Sequence, residues 1–121
     1  MDHLVLTVAS IEGTLTFYRD VLGMRAETFG DGRWALHFGD QKFNLHEAGH
    51  EFEPKAARPT PGSVDICLVV ATAIDEVVAA LADKGVPVVE GPVDRTGARG
   101  RIRSVYLRDP DDNLVELASY A

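Results

Sequence analysis

One internal repeat constrains the fold of this chain more than any other feature. Residues 3–24, HLVLTVASIEGTLTFYRDVLGM, align without a gap with residues 65–86, DICLVVATAIDEVVAALADKGV. Residues 40–47 and 112–119 also align, at an offset ten residues larger, so the second copy has gained about ten residues between its helix and its end. The simplest interpretation is two copies of one supersecondary unit.

Each copy begins with a strand whose two faces differ. Apolar residues alternate through residues 3–8 and again through residues 65–70, which is the period of a strand with one buried face. His3 and Asp65 therefore occupy equivalent strand positions. Cys67 is interpreted as a packing residue of the second of these strands. As the single cysteine it excludes an intrachain disulfide, which suits a reducing compartment.

A helix follows each strand. Ser10 and Thr72 are predicted N-caps, because short hydroxyl side chains accept from the first free amides of a helix. Apolar residues then recur at helical spacing, so that each helix presents one apolar stripe. Gly23 and Gly85 follow the two predicted helices at the position where a helix commonly ends in a left-handed residue, usually glycine.

Three further strand-like runs follow each helix. In the first copy they are residues 24–29, 33–38 and 41–47. In the second copy they are residues 86–90, 102–109 and 113–120. The extra residues of the second copy fall in residues 91–101, which we predict to be a loop that contacts substrate. Each copy is therefore predicted to fold as β-α-β-β-β.

We predict a single domain, residues 1–121, made of module 1–49, linker 50–63 and module 64–121. The chain has 121 residues, 45% of them hydrophobic, which is enough for a core. Its net charge of −7 disfavours nucleic acid and anionic membranes as partners, which leaves a small molecule or another protein. The sequence shows no membrane span and no signal-peptide pattern, so we expect a cytoplasmic protein.

The motifs HLVLTV, FYRDVLGM and RDPDDNLVEL in this repeat resemble the vicinal oxygen chelate superfamily, which includes glyoxalase I, bleomycin and fosfomycin resistance proteins and extradiol dioxygenases. The segments FGDQKFNLHE, FEPKA, RPTPGSVDICL and EGPVDRTGARG are most similar to its glyoxalase-domain subgroup that includes a bacterial virulence-associated protein. The resemblance covers essentially the whole chain. It implies an α+β fold whose two βαβββ modules form an incomplete barrel around a divalent metal, and it implies a homodimer.

The resemblance also implies metal ligands on the first and last strands of each module. Those positions are His3, Asn44, Asp65 and Glu116. A metal-binding glyoxalase has His or Gln, Glu, His and Glu there, so the second and third positions depart from its pattern. His46 points to the same face as Asn44 and can replace it, so the predicted ligands are His3, His46, Asp65 and Glu116, with the choice between Asn44 and His46 open. These donors suit Mn²⁺, Ni²⁺, Fe²⁺ or Zn²⁺.

The chemistry that the resemblance implies is metal-assisted, with two vicinal oxygens of a substrate chelating the ion. The leading hypothesis is a glyoxalase-type lyase or isomerase in which Glu116 is both ligand and catalytic base. The predicted substrate contacts are Asn44, Arg95, Arg99, Arg101, Arg103 and Tyr106. For the arginines and the tyrosine, a solvated charge or a packed ring is the alternative. For His3 it is a polar strand end, and for Asp65 an ion pair with an arginine.

Two other functions remain open from the sequence. The first is a binding protein that sequesters a drug or metabolite without turnover, as bleomycin resistance proteins do; the irregular positions Asn44 and Asp65 favour it. The second is extradiol ring cleavage, which is less favoured because it normally uses two histidines and one carboxylate, and Asp65 stands where the second module would supply a histidine.

Overall fold

The computed structural model describes residues 1–120, which divide into two compact units. The first unit is Met1–Val64 together with Pro110–Asp112, and the second is Asp65–Asp109 together with the chain from Asn113 onward. The predicted linker therefore packs as part of the first unit. None of the helices within residues 1–120 is long and apolar enough to cross a bilayer.

The first unit contains one helix and a four-stranded mixed sheet. Its elements are β1 (His3–Val8), α1 (Ile11–Leu15) continued by a π-helical segment (Thr16–Val21), β2 (Arg25–Phe29), β3 (Arg33–Phe38) and β4 (Gln41–Glu47). The strand order is β1-β4-β3-β2, with β1 parallel to β4 and the other pairs antiparallel. The sheet is open at both edges.

The second unit repeats this topology. Its elements are β5 (Asp65–Val69), α2 (Ile74–Asp83), β6 (Glu90–Gly97), β7 (Gly100–Arg108) and β8 (Leu114–Ser119). The strand order is β5-β8-β7-β6, with β5 parallel to β8 and the other pairs antiparallel. The predicted α+β architecture of two tandem βαβββ modules is confirmed.

One face of each sheet is buried, as the alternation predicts. In β1, Leu6 and Val8 are 2% and 0% exposed, whereas Val5 is 41% exposed. Tyr18, which follows α1, packs edge-on against Phe43 of β4, with ring centroids 5.7 Å apart. We call the face away from the helix the open face of each sheet; Asn44, His46 and Glu116 lie there.

The two helices begin differently. The side chain of Ser10 accepts a hydrogen bond from the Gly13 amide at 3.1 Å, so the predicted N-cap of α1 is confirmed. The predicted cap at Thr72 is wrong, because α2 begins at Ile74 and Ala73 is its flanking residue. Alanine carries no acceptor, so the start of α2 relies on the acidic residues in its first turn.

Both helices are followed by the glycines that the sequence indicates. Gly23 has φ of +78° and Gly85 has φ of +69°. Other residues pay a steric cost in this left-handed region, so glycine is the residue of choice there. The predicted C-terminal ends are confirmed.

The hairpin of β6 and β7 differs from the sequence prediction. The predicted strand at 86–90 and loop at 91–101 are wrong, because β6 runs through Glu90–Gly97 and pairs with β7. The register shifts between Glu90 and Val93, which is a β-bulge. The bulge accommodates Gly91 and Pro92, the residues that indicate a loop in the sequence. The extra residues of the second copy therefore lengthen a hairpin.

A short turn from the second copy of the repeat belongs to the first unit. This turn is Pro110–Asp112. The carboxylate of Asp111 accepts a hydrogen bond from the backbone amide of Ala9 at 3.2 Å, just before α1. The turn therefore supplies an acceptor for the connection between β1 and α1.

Candidate functional site

The open face of the second unit collects several predicted site residues. Because β5 is parallel to β8, Cys67 lies opposite Glu116, and Asp65 lies one diagonal step away. On the other side of β8, Tyr106 of β7 lies opposite Glu116. Glu116 therefore stands at the centre of this face.

A cavity of about 490 Å³ lies on this face. Its size falls within the range of small-molecule pockets, about 300 to 1,000 Å³. The hairpin of β6 and β7 forms part of its wall. Its lining includes charged, aromatic, thiol and aliphatic side chains: Cys67, Arg95, Ile102, Tyr106, Glu116 and Tyr120.

Three donors surround the Glu116 carboxylate. The hydroxyl of Ser104 donates to its Oε2 at 2.6 Å, the length of a charge-assisted hydrogen bond. The thiol of Cys67 and the phenol of Tyr106 are also hydrogen-bonded to Glu116. A carboxylate held in this way is fixed in orientation and has acceptor sites left for a ligand.

Cys67 is exposed on the open face and is not the core packing residue that the sequence predicts. Burial of part of its thiol, followed by the negative charge of Glu116, raises the pKa of Cys67 to about 11. The thiol is therefore protonated at neutral pH, where it acts as a weak donor to Glu116 and not as a nucleophile.

Arg95 and Tyr106 form a pair in the same cavity. The Nε of Arg95 donates to the Tyr106 hydroxyl at 3.1 Å, and its guanidinium lies 5.5 Å from the centroid of the tyrosine ring. The Glu90 carboxylate lies 3.5 Å from Nη2 of Arg95. Burial raises the pKa of Tyr106, so its phenol stays protonated at neutral pH. This pair brings one positive charge to the cavity that contains Glu116.

The other three predicted arginines lie apart from Glu116. Arg99 stacks on Tyr120, with its guanidinium 4.3 Å from the ring centroid, at the tip of the hairpin. Arg101 and Arg103 point to the opposite face of β7 from Tyr106, because strand side chains alternate. They pair with other carboxylates: Arg101 with Asp94 at 3.2 Å and Arg103 with Asp75 at 3.1 Å.

On the open face of the first unit, the register distinguishes Asn44 from His46. His3 pairs with Lys42 and lies one diagonal step from Asn44, the same relation as between Asp65 and Glu116. His46 pairs instead with Thr7, four residues along β4 from the partner of His3, which is roughly 13 Å at the rise of a strand. The register therefore favours Asn44 over His46 as the companion of His3.

The surroundings of the two histidines differ as well. His3 is exposed, and its Nδ1 lies 2.6 Å from the Asp2 carboxylate. His46 is 2% exposed, and its Nε2 lies 3.4 Å from a guanidinium nitrogen of Arg33. Burial, and then the positive charge of Arg33, lower the pKa of His46, so it is neutral at pH 7.

The divalent metal that the resemblance implies would need several suitable donors close together. Within residues 1–120, no group of three or more His, Cys, Asp or Glu side chains is arranged to hold an ion. His46 does not fit such a role, because a guanidinium faces it. Asn44 does fit, because its Oδ1 is buried without a partner among residues 1–120. The pairs His3 with Asn44, and Asp65 with Glu116, are chemically suitable donors.

A family model described as the Glyoxalase/Bleomycin resistance protein/Dioxygenase superfamily matches residues 1–117. This chain belongs to that superfamily. Virulence protein STM3117 of Salmonella typhimurium is 56% identical over 120 residues, which cover 99% of this chain and 83% of that protein. Its crystal structure has a TM-score of 0.98 and 55% identity, and the match covers 100% of this chain and 96% of that one.

Other members of the superfamily are also similar to this chain. The glyoxalase domain-containing protein RDO1 of Mycosarcoma maydis is 54% identical over 99% of this chain and 68% of its own length. The antibiotic binding protein TnmS3 from a Streptomyces species has a TM-score of 0.78 at 21% identity, over 100% of this chain and 95% of that one. The similarity to TnmS3, at 21% identity, shows a shared fold and nothing more.

Four residues of the candidate site were missed by the sequence reasoning: Ile102, which adds apolar surface, and Cys67, Ser104 and Tyr120. Strand parity could have identified the last three. Cys67 is two residues from Asp65, Ser104 two from Tyr106 and Tyr120 four from Glu116, so each shares a face with a predicted site residue. In this superfamily member, the alternation within the strands is therefore a better guide to the cavity than residue type.

Proposed function

We propose that this protein binds a small organic molecule in the cavity of the second unit. One observation carries the proposal: a single cavity brings together the carboxylate of Glu116, the guanidinium of Arg95 and the phenols of Tyr106 and Tyr120. Pockets for small ligands combine apolar and aromatic walls with a few fixed polar groups, and this cavity does the same.

The lining indicates the chemistry of the ligand. Glu116 accepts hydrogen bonds, so it favours a hydroxyl, phenol or amine on the ligand. The rings of Tyr106 and Tyr120, with Ile102, offer apolar surface for a flat or branched body. The guanidinium of Arg95, next to Tyr106, can donate to an oxygen of the ligand. We therefore expect an oxygenated, partly apolar molecule with at least one hydrogen-bond donor.

The test is a screen of oxygenated metabolites and antibiotics by thermal melting, followed by calorimetry of the hits. A ligand that binds only the native state raises the melting temperature. Glu116→Gln is expected to weaken binding about tenfold, because a charge-assisted hydrogen bond is lost. The matched control is Glu76→Gln, the same change at an exposed carboxylate of α2. Equal affinities for both variants would contradict the proposal.

A second candidate is the metal-dependent lyase or isomerase of glyoxalase type. The observation that favours it is the common register of the pairs His3 with Asn44 and Asp65 with Glu116, together with the unpartnered Oδ1 of Asn44. A divalent ion held by such donors supplies Lewis-acid stabilisation of an oxyanion. Glu116 is the candidate base, because Ser104 orients its carboxylate and leaves a second oxygen to take a proton.

Elemental analysis and melting with Mn²⁺, Ni²⁺, Fe²⁺ or Zn²⁺ distinguish the two candidates. For the lyase, near-stoichiometric metal is expected, and its stabilisation is lost in Asp65→Asn and Glu116→Gln but kept in His46→Gln. Turnover of methylglyoxal with glutathione then tests the specific glyoxalase I reaction. Stoichiometric ligand binding without metal and without product supports sequestration instead.

A further inference from the structure

The first unit has a cavity of its own on its open face. Its volume is about 410 Å³. One wall is the sheet, and the other is a segment that follows β4, residues 52–59, which we call the covering segment. The side chains of Val5, Thr7, His46, Pro54, Lys55 and Ala56 are among those that line it.

Two polar side chains of this cavity are more than nine-tenths buried. His46 is 2% exposed and Thr7 is 9% exposed, and they lie opposite each other on β4 and β1. Phe52 of the covering segment packs edge-on against the His46 ring at 5.5 Å. The guanidinium of Arg33 lies over Phe52 at 4.7 Å, so the imidazole is held in place from two sides.

The contact with Arg33 determines where the imidazole proton lies. A guanidinium has only donors, so the Nε2 that it faces at 3.4 Å must accept. A ring nitrogen that accepts a hydrogen bond carries no proton, so the imidazole proton is on Nδ1. That Nδ1 is buried and has no hydrogen-bond partner among residues 1–120. A buried donor without a partner is costly, and a ligand oxygen is the natural acceptor for it.

The remaining groups specify the ligand. Lys55 brings an ammonium group to the same cavity, and its pairing with Glu53 occupies one of three N–H donors. The other lining side chains are apolar. We propose that the cavity of the first unit is a second binding site, distinct from that of Glu116, and that its ligand is a small monocarboxylate with an apolar body. The carboxylate accepts from His46, Thr7 and Lys55, and the body packs on Val5, Pro54 and Ala56.

The test is a titration of the full chain with butyrate and benzoate, followed by amide chemical shifts. We expect saturable shifts in residues 5–7, 46 and 54–59, and unchanged positions for Cys67 and Glu116. The amides butyramide and benzamide are expected to bind about tenfold more weakly, because they lack the charge. Saturable shifts confined to the second unit, or equal affinity for acid and amide, would overturn the proposal.

Substitutions of Lys55 and His46 test which side chains bind the carboxylate. Lys55→Met is expected to weaken benzoate binding about tenfold, whereas Lys84→Met, the same change at an exposed lysine after α2, leaves it unchanged. His46→Gln keeps a donor and is expected to stay within about threefold, while His46→Leu loses about tenfold. Glu116→Gln leaves benzoate binding unchanged, which separates this site from the proposed function. Unaltered binding in both Lys55→Met and His46→Leu would refute the site.

Discussion

Glu116 and His46 stand on the last strands of their modules, and their neighbours give them opposite properties. Glu116 is surrounded by donors from Ser104, Cys67 and Tyr106, so its carboxylate acts as a hydrogen-bond acceptor. His46 is buried and faces the positive charge of Arg33, which favours a neutral ring. Glu116 is therefore an acceptor and Nδ1 of His46 a donor, so we expect the two proposed sites to favour different ligands.

The first prediction concerns acid sensitivity at His46. Its pKa in the folded protein lies below the ordinary 6.5, so below pH 6.5 the unfolded chain takes up a proton that the folded chain does not. The free energy of unfolding should therefore fall as the pH drops below 6.5, by at most about 1.4 kcal/mol per pH unit, until the folded pKa is passed. Urea unfolding at pH 7.5 and 5.5 measures it.

His46→Gln should remove this component of the pH dependence. The matched control is His50→Gln, because the His50 side chain is 80% exposed. It should retain the behaviour of the wild type. The same difference in stability between pH 7.5 and 5.5 in the wild type and in His46→Gln would show that another group is responsible.

The second prediction concerns the thiol of Cys67. Its pKa of about 11 keeps the thiolate fraction low at pH 8, so alkylation by iodoacetamide should be slow. Glu116→Gln removes a negative charge next to the thiol, which should lower its pKa and speed alkylation several-fold. Mass spectrometry over time gives the rates. Glu76→Gln should react like the wild type, and a Glu116→Gln rate no faster than that control would count against the contact.

At the scale of elements, the sequence predicts strands well where one face is buried. β1, β3 and β4 were predicted within a residue or two, because their alternation or apolar content reflects burial. β6 was not predicted, because Gly91 and Pro92 indicate a turn and the stabilising partner, β7, is specified only by tertiary pairing. Because tertiary pairing cannot be read from the sequence, the cavity wall formed by the hairpin was not predicted. The choice between Asn44 and His46 as the companion of His3 likewise needed the register of β1 and β4.

The third prediction tests the bulge in β6. Gly91 has φ of +107°, and a Cβ there would lie 2.5 Å from the carbonyl oxygen of Ser104. Gly91→Ala should therefore destabilise the fold by about 2 to 4 kcal/mol, since both strain and a backbone clash oppose it. The control is Gly32→Ala, with φ of +76° and open space around the Cβ, which should cost only about 1 kcal/mol. Urea midpoints compare the two, and equal losses would argue against the close approach.

At the scale of the whole molecule, the repeat produces two sheets of the same topology with different open faces. Val5 corresponds to Cys67, Asn44 to Glu116 and His46 to Ala118. The polar residues of the second face centre on Glu116, whereas those of the first include His46 beneath the covering segment. Family membership and topology follow from the sequence; the contents of each cavity depend on long-range packing that the repeat does not encode.

The fourth prediction is the oligomeric state. We propose a homodimer, which the family resemblance implies. Light scattering at micromolar concentration should give twice the chain mass of 13.1 kDa. A dilution series distinguishes a stable dimer from weak association, and a mass of one chain throughout would contradict the prediction.

Because the Pro110–Asp112 turn belongs to the first unit, a fragment that ends at the repeat boundary does not contain the whole of that unit. A peptide that ends at Val64 lacks the Asp111 carboxylate, which accepts from the Ala9 amide immediately before α1. A fragment cut at the repeat boundary therefore lacks one part of the first unit, because the Pro110–Asp112 turn lies near the C-terminal end of the sequence. Such a fragment should be less stable than the same residues in the full chain by roughly 1 kcal/mol, the contribution of one hydrogen bond, and urea unfolding of the two would measure the difference.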